Sequence, residues 1–189
     1  MAQNRRMHPR LAGIAAFLED ARSRVVADAL TLSPEDSARR PAPDAWSADE
    51  ILTHLGLVEP GIAKLVGKSV RVAREAGLPR EASEEPVLRL LDGRGFETGE
   101  QKLVAPEFVA PRAVLPRDEA LAALGRSRDL LTNVLAGVDG WALAEVVAPH
   151  PILGPFNMYE WLLFVGKHEL RHLAQLERTA AALASGAGR

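Results

Sequence analysis

Apolar residues recur at alternating spacings of three and four along four long segments of the chain, and this periodicity constrains the fold more than any other feature. The segments cover residues 11–29, 51–66, 121–135 and 161–179. Such spacing places apolar side chains along one face of an α-helix. Amphipathic helices bury these faces against one another, so the pattern predicts an all-α protein built as a four-helix bundle. We find no segment with the strict alternation that is typical of a half-buried strand.

Two of the four helices carry a recognisable start. Ser47 precedes the second helix and is followed three residues later by Glu50, while Asn157 and Glu160 stand in the same relation before the last helix. In this arrangement each side chain accepts a hydrogen bond from the backbone N–H of the other residue. Helices are therefore predicted to begin just after Ser47 and just after Asn157.

The segments between the helices are rich in proline and glycine, which predicts irregular connections. They cover residues 33–44, 76–116 and 141–155. The connection at about 76–116 is long for a compact domain, and we expect a short helix within it at 84–92. Residues 1–189 are interpreted as a single helical domain with its core at about 10–184.

Composition excludes several classes of function. The chain of 189 residues contains no cysteine, so any metal must be held by His, Asp, Glu or water. Its net charge of −2 offers no electrostatic basis for binding nucleic acid. No apolar run approaches the roughly 18 to 20 residues that span a bilayer. We therefore expect a cytoplasmic protein that binds neither nucleic acid nor membranes.

Three histidines are predicted to converge inside the bundle. The last helix contains FVGKHELRHLAQLERT, in which His168 and His172 lie four residues apart on the apolar face. Side chains at this spacing lie one above the other and can reach a common ion. His54 lies on the apolar face of the second helix, three residues after Ile51. Buried, hydrogen-bonded core histidines are the alternative interpretation. If the three do bind a metal, occupancy is expected to fall below about pH 6.5, because only neutral imidazole is a ligand.

The string His168-Glu169-x-x-His172 also matches the HExxH motif of zinc peptidases, but its surroundings do not. Gln175 and Arg178 stand where one extended form of the motif requires Gly and His. The other common form takes a downstream glutamate, and the sequence after His172 offers only Glu177. A peptidase is therefore disfavoured.

Three stretches resemble the DinB-like superfamily of metalloenzymes. They are RRPAPDAWSADEILTHLGLVE (39–59), QKLVAPEFVAPRAVLP (101–116) and HPILGPFNMYEWLLFVGKHELRHLAQLERT (150–179). The resemblance implies a four-helix bundle with up-down-down-up wiring. It also implies one divalent metal ion held by His54, His168 and His172, without distinguishing Zn, Ni, Fe and Mn.

The resemblance leaves the reaction open. Relatives include transferases and isomerases that use low-molecular-weight thiols such as bacillithiol, mycothiol or glutathione, and others are described as metal-dependent hydrolases. We therefore expect an enzyme that activates a small thiol, or water, at the three-histidine site. A hydrolase and a non-catalytic, stress-related metal-binding protein are the alternatives. The expected partner is a small-molecule substrate, and a homodimer is compatible with the sequence.

Three further residues are candidates for the surroundings of the metal. Glu169 borders the apolar face of the last helix and is predicted either to orient an imidazole or to form an ion pair between helices. Glu50 lies one turn before His54, although capping the second helix is sufficient to explain it. His150 lies in the connection that leads into the last helix and is predicted at the rim of the site.

Overall fold

The computed structural model describes residues 6–94 and 107–186 and confirms the all-α prediction. Four long helices and one short helix account for most of the chain, together with two short 3-10 helices and two short strands. The helices are α1 (Pro9–Ala29), α2 (Pro34–Ala38), α3 (Ala48–Glu75), α4 (Arg117–Val138) and α5 (Met158–Gly186). The 3-10 helices cover Glu107–Val109 and Leu143–Glu145, and the strands are β1 (Val147–His150) and β2 (Gly154–Asn157).

Both predicted helix starts are confirmed. The Ser47 hydroxyl accepts the Glu50 backbone N–H at 3.2 Å, and the Glu50 carboxylate accepts the Ser47 N–H at 2.8 Å. The Asn157 side chain accepts the Glu160 N–H at 3.0 Å, and the Glu160 carboxylate accepts the Asn157 N–H at 2.8 Å. Each pair satisfies two backbone donors that the first turn of a helix leaves free.

The directions of the four long helices follow from two buried apolar clusters at opposite ends of the bundle. The larger cluster, here called the large core, includes Ile14, Val66, Leu131 and Leu162. The second cluster, here called the small core, includes Val25, Leu52, Leu124 and Leu173. Helices α1 and α5 run from the large core to the small core, whereas α3 and α4 run the opposite way. This is the up-down-down-up wiring that the family resemblance implied.

A layer of charged side chains lies between the two cores. Arg22, Glu59 and Glu169 are buried in it, and Arg128 joins them from α4. Each of the four long helices contributes one of these residues. We call the four side chains the charge ring and describe its contacts below.

The connections differ from the predictions in two places. Residues 147–157 form an antiparallel hairpin in which Ala148 pairs with Phe156, so the expectation of no strands was wrong. The strands were not predicted because they have four residues each and both contain a proline, which lacks the backbone N–H that donates a hydrogen bond between strands. Residues 88–93 form turns where a short helix was expected at 84–92. The middle of the long connection, 95–106, lies outside the described residues.

Within residues 6–94 and 107–186, no helix combines the length and the apolar character that crossing a lipid bilayer requires.

Candidate metal centre

The structure brings together the three histidines that the spacing selected. His54 projects from α3, and His168 and His172 project from consecutive turns of α5 beside the small core. One ring nitrogen of each residue lies within 4.8 Å of the corresponding nitrogens of the other two. Within the described part of the chain, this is the one group of three such side chains close enough to share a metal ion. The group contains no carboxylate.

Hydrogen bonds orient two of the three imidazoles. His54 Nδ1 lies 2.8 Å from the backbone carbonyl of Val109, and His172 Nδ1 lies 2.9 Å from Oε1 of Gln175. A carbonyl oxygen only accepts, so each Nδ1 must carry the proton and leave Nε2 unprotonated. His54 Nε2 in turn lies 3.3 Å from His168 Nε2. Unprotonated imidazole nitrogens held in this way are what a divalent ion requires of its ligands.

Aromatic rings surround the histidines. The Trp46 indole is stacked on His172 at 6.2 Å between centroids and lies 5.2 Å from the His54 ring. The Phe164 ring is stacked on His168 at 5.3 Å. His54 and His172 are buried, whereas His168 keeps part of its surface exposed. The group therefore lies in mainly apolar surroundings.

Burial favours the neutral form of all three imidazoles. It lowers the pKa of His54, and it lowers the pKa of His168 well below the ordinary value, with His172 and His54 adding to the effect. The pKa of His172 falls to about 3, again mainly through burial and then through the charge of His54. Neutral imidazole is the form that binds a metal, so burial keeps the three side chains in the form that a ligand requires.

These pKa values predict that the metal-free protein becomes less stable in acid. At pH 5, His172 is neutral in the folded chain and charged in the unfolded chain, so the unfolded state gains protons and stability falls as pH drops below about 6.5. For His172 alone the expected loss is about 2 kcal/mol at pH 5. Urea unfolding of chelator-treated protein at pH 7.5 and pH 5 measures the loss. His172→Gln should show a shallower dependence, and equal slopes would contradict the assignment.

The other sequence-predicted candidates lie outside the group. The Glu50 carboxylate caps α3 and forms an ion pair with Arg40. The Glu169 carboxylate contacts Arg22 and Arg128, which corresponds to the second of its two predicted roles, an ion pair between helices. Burial raises the pKa of Glu169, and the two guanidinium groups oppose that rise.

His150 lies behind Phe164 as seen from the histidine group. Its ring is 4.8 Å from the Phe164 ring, and its Nδ1 accepts the backbone N–H groups of Ile152 and Leu153 at 3.2 and 3.1 Å. These bonds order the hairpin turn. Burial lowers the pKa of His150.

Sequence reasoning missed three participants in the site. Gln175 lies three residues after His172, a spacing that places both on one side of the helix, so its role was accessible from the pattern. Trp46 directly precedes the predicted helix start at Ser47, and the structure places its ring against two of the histidines. The Val109 carbonyl is a backbone group of the long connection and had no sequence signal.

The sequence is similar to known proteins. The profile of the DinB superfamily matches residues 18–176. The chain is also 28% identical over 147 residues to the uncharacterized protein YuaE of Bacillus subtilis (strain 168), an alignment that covers 77% of this chain and 84% of the relative. No solved structure matches the chain significantly.

Proposed function

The chain belongs to the DinB superfamily, and on that premise we propose that it is a metal-dependent enzyme that activates a small thiol for transfer or isomerisation. The observation that carries the proposal is the convergence of His54, His168 and His172, whose ligand nitrogens lie within 4.8 Å of one another. We propose one divalent ion per chain, and imidazole ligands suit Zn, Ni, Fe or Mn. Three protein ligands without a carboxylate leave room for a molecule from solvent.

A divalent ion held by these imidazoles would lower the pKa of a bound thiol or water toward neutrality and polarise an electrophile. The chain's own residues prepare the site for this chemistry. Val109 and Gln175 fix the tautomers of two ligands, and Trp46 and Phe164 limit the access of water.

A thiol nucleophile must come from a cosubstrate, because the chain contains no cysteine. The resemblance to thiol-using relatives supports a low-molecular-weight thiol as that cosubstrate. Metal-dependent hydrolysis is the second candidate, since the same ligand set would activate water equally well. The two reactions differ in which nucleophile reaches the electrophile, so one assay separates them.

The test presents the metal-loaded protein with a panel of small thiols and a chromogenic electrophile, and in parallel with ester and amide substrates. We expect thiol conjugation that falls at least about 100-fold in His54→Ala, by analogy with the 10- to 100-fold losses caused by removing the outer partners of metal ligands. His150→Ala is the matched control, because it removes a nearby histidine that lies outside the group, and it should keep its activity.

Turnover that survives the loss of His54 would exclude the proposed mechanism. Cleavage of esters or amides without thiol conjugation would favour the hydrolase. Metal binding without either activity would favour a non-catalytic protein.

A further inference from the structure

The charge ring is closed, with positive and negative groups in alternation. Arg22 Nη2 contacts carboxylate oxygens of both Glu59 and Glu169, the former at 2.5 Å, and its Nε donates to Glu169 at 2.7 Å. Arg128 bridges the same two carboxylates, donating from Nε to Glu59 at 2.8 Å and from Nη2 to Glu169 at 3.0 Å. Each guanidinium therefore links α3 to α5.

The two arginines also bind each other's helices. Arg22 Nη1 donates to the carbonyl of Leu124, which lies one turn before Arg128, at 2.5 Å. Arg128 Nη1 donates to the carbonyl of Leu18, one turn before Arg22, at 2.5 Å. Buried charges are tolerated only when their hydrogen bonds are satisfied, so this arrangement allows little rotation or sliding of any helix.

The ring lies close to the histidine group along the chain. Glu169 is adjacent to His168 and three residues before His172. Glu59 is five residues after His54, which corresponds to about 7.5 Å along a helix axis. The two helices that carry the histidines are thus the two that supply carboxylates, and these like charges would repel each other without the shared guanidinium groups.

We propose that the charge ring positions the metal-binding histidines. By holding α3 and α5 in one rotation and one axial register, it keeps His54 opposite His168 and His172 before any ion binds. Arg22 and Arg128 are the positioning residues, because each bridges carboxylates of both ligand-bearing helices and belongs to neither helix; Arg128 is chosen for substitution. The proposal rests on the proposed metal site. It explains the geometry of that site by four residues that are neither the ligands nor the hydrogen-bond partners of the ligands.

Two substitutions at one position separate positioning from electrostatics. Arg128→Lys keeps the charge but cannot bridge two carboxylates and a carbonyl. Arg128→Gln leaves the ring with a net negative charge, which by electrostatics alone would strengthen the binding of a cation. Leu131→Ala is the control: it lies one turn away on the same helix, is buried in the large core and lowers stability without touching the ring.

The measurement is Zn²⁺ affinity by calorimetry, under conditions where far-UV circular dichroism shows each variant to be folded. Both Arg128 variants should bind Zn²⁺ about 10- to 100-fold more weakly than the unmodified protein, and Leu131→Ala should stay within about threefold. If Arg128→Gln does not fold, the Zn²⁺ affinity of Arg128→Lys is compared with those of the unmodified protein and Leu131→Ala instead. Affinity in Arg128→Gln equal to or above that of the unmodified protein would overturn the proposal, as would an equal loss in Leu131→Ala.

A second readout separates this proposal from the proposed function. Imidazole ¹⁵N resonances of the metal-free protein report ring environments whether or not an ion binds. Failure of the unmodified protein to bind Zn²⁺, Ni²⁺, Fe²⁺ or Mn²⁺ would refute the proposed function. In that case, altered His54 and His168 resonances in the Arg128 variants would still support the positioning role, and unchanged resonances would overturn it.

Discussion

Replacing His54, His168 or His172 with alanine is expected to reduce the affinity for a divalent ion by more than about 100-fold. Removing only the outer partner of a ligand costs about 10- to 100-fold, and each of these substitutions removes a ligand itself. The remaining pair of imidazoles would hold an ion mainly through water. No described carboxylate lies in the group to take the vacant place.

Metal analysis of protein purified without chelator, followed by calorimetric titration, measures this effect. The unmodified chain should hold close to one ion and each alanine variant close to none. His150→Ala is again the control, since its ring lies behind Phe164 and outside the group. Full metal content in all three variants would show that these histidines are core residues rather than ligands.

Replacing Arg22 with methionine is expected to lower the free energy of unfolding by about 3–5 kcal/mol, the usual cost of removing one partner from a buried ion pair. Methionine fills a similar volume but leaves Glu59 and Glu169 with Arg128 as their shared counter-charge. The carbonyl of Leu124 also loses the guanidinium donor. The effect should be larger than that of removing an ordinary surface charge, because both carboxylates are only 2% exposed.

Urea unfolding followed by circular dichroism tests this expectation. Arg24→Met is the matched control: Arg24 lies two residues away on α1, is exposed, and pairs loosely with Asp20 at 4.0 Å. Its loss should change stability by no more than about 1 kcal/mol. Similar losses in the two variants would mean that the charge ring does not hold the bundle together as described.

The histidine group was predictable because it depends on helical periodicity. His54, His168 and His172 fall on the apolar faces of their helices, and in a helical bundle the apolar faces point toward the interior. The helix starts at Ser47 and Asn157 were predictable for a similar reason, since a capping box is a local pattern. The inward direction of each histidine and the two helix starts required no knowledge of which helices are neighbours.

An ion pair of Glu169 was one of two predictions for that residue, but the charge ring as a whole was not predicted, although a signal for it exists in the sequence. Each of its four residues follows a buried apolar residue by one helical turn: Leu18 and Arg22, Leu55 and Glu59, Leu124 and Arg128, Val165 and Glu169. A charge within an apolar stripe is unusual, but its partner depends on the packing of other helices. The Val109 carbonyl was missed because it is a backbone group whose contact with His54 is distant in sequence. The hairpin at 147–157 was missed because its strands are short and each contains a proline.

The alternation of charge around the ring has a consequence for the electric field inside the bundle. Two positive and two negative charges in alternation have no net charge, and their dipoles point in opposing directions, so their combined potential decays much faster with distance than that of a single charge. Separately, the leading influences on the pKa of His168 are burial and its neighbouring histidines. The ring can thus hold α3 and α5 in place while contributing little to the electrostatic potential at the imidazole nitrogens. That potential is then set mainly by the imidazoles themselves and by any ion that they bind.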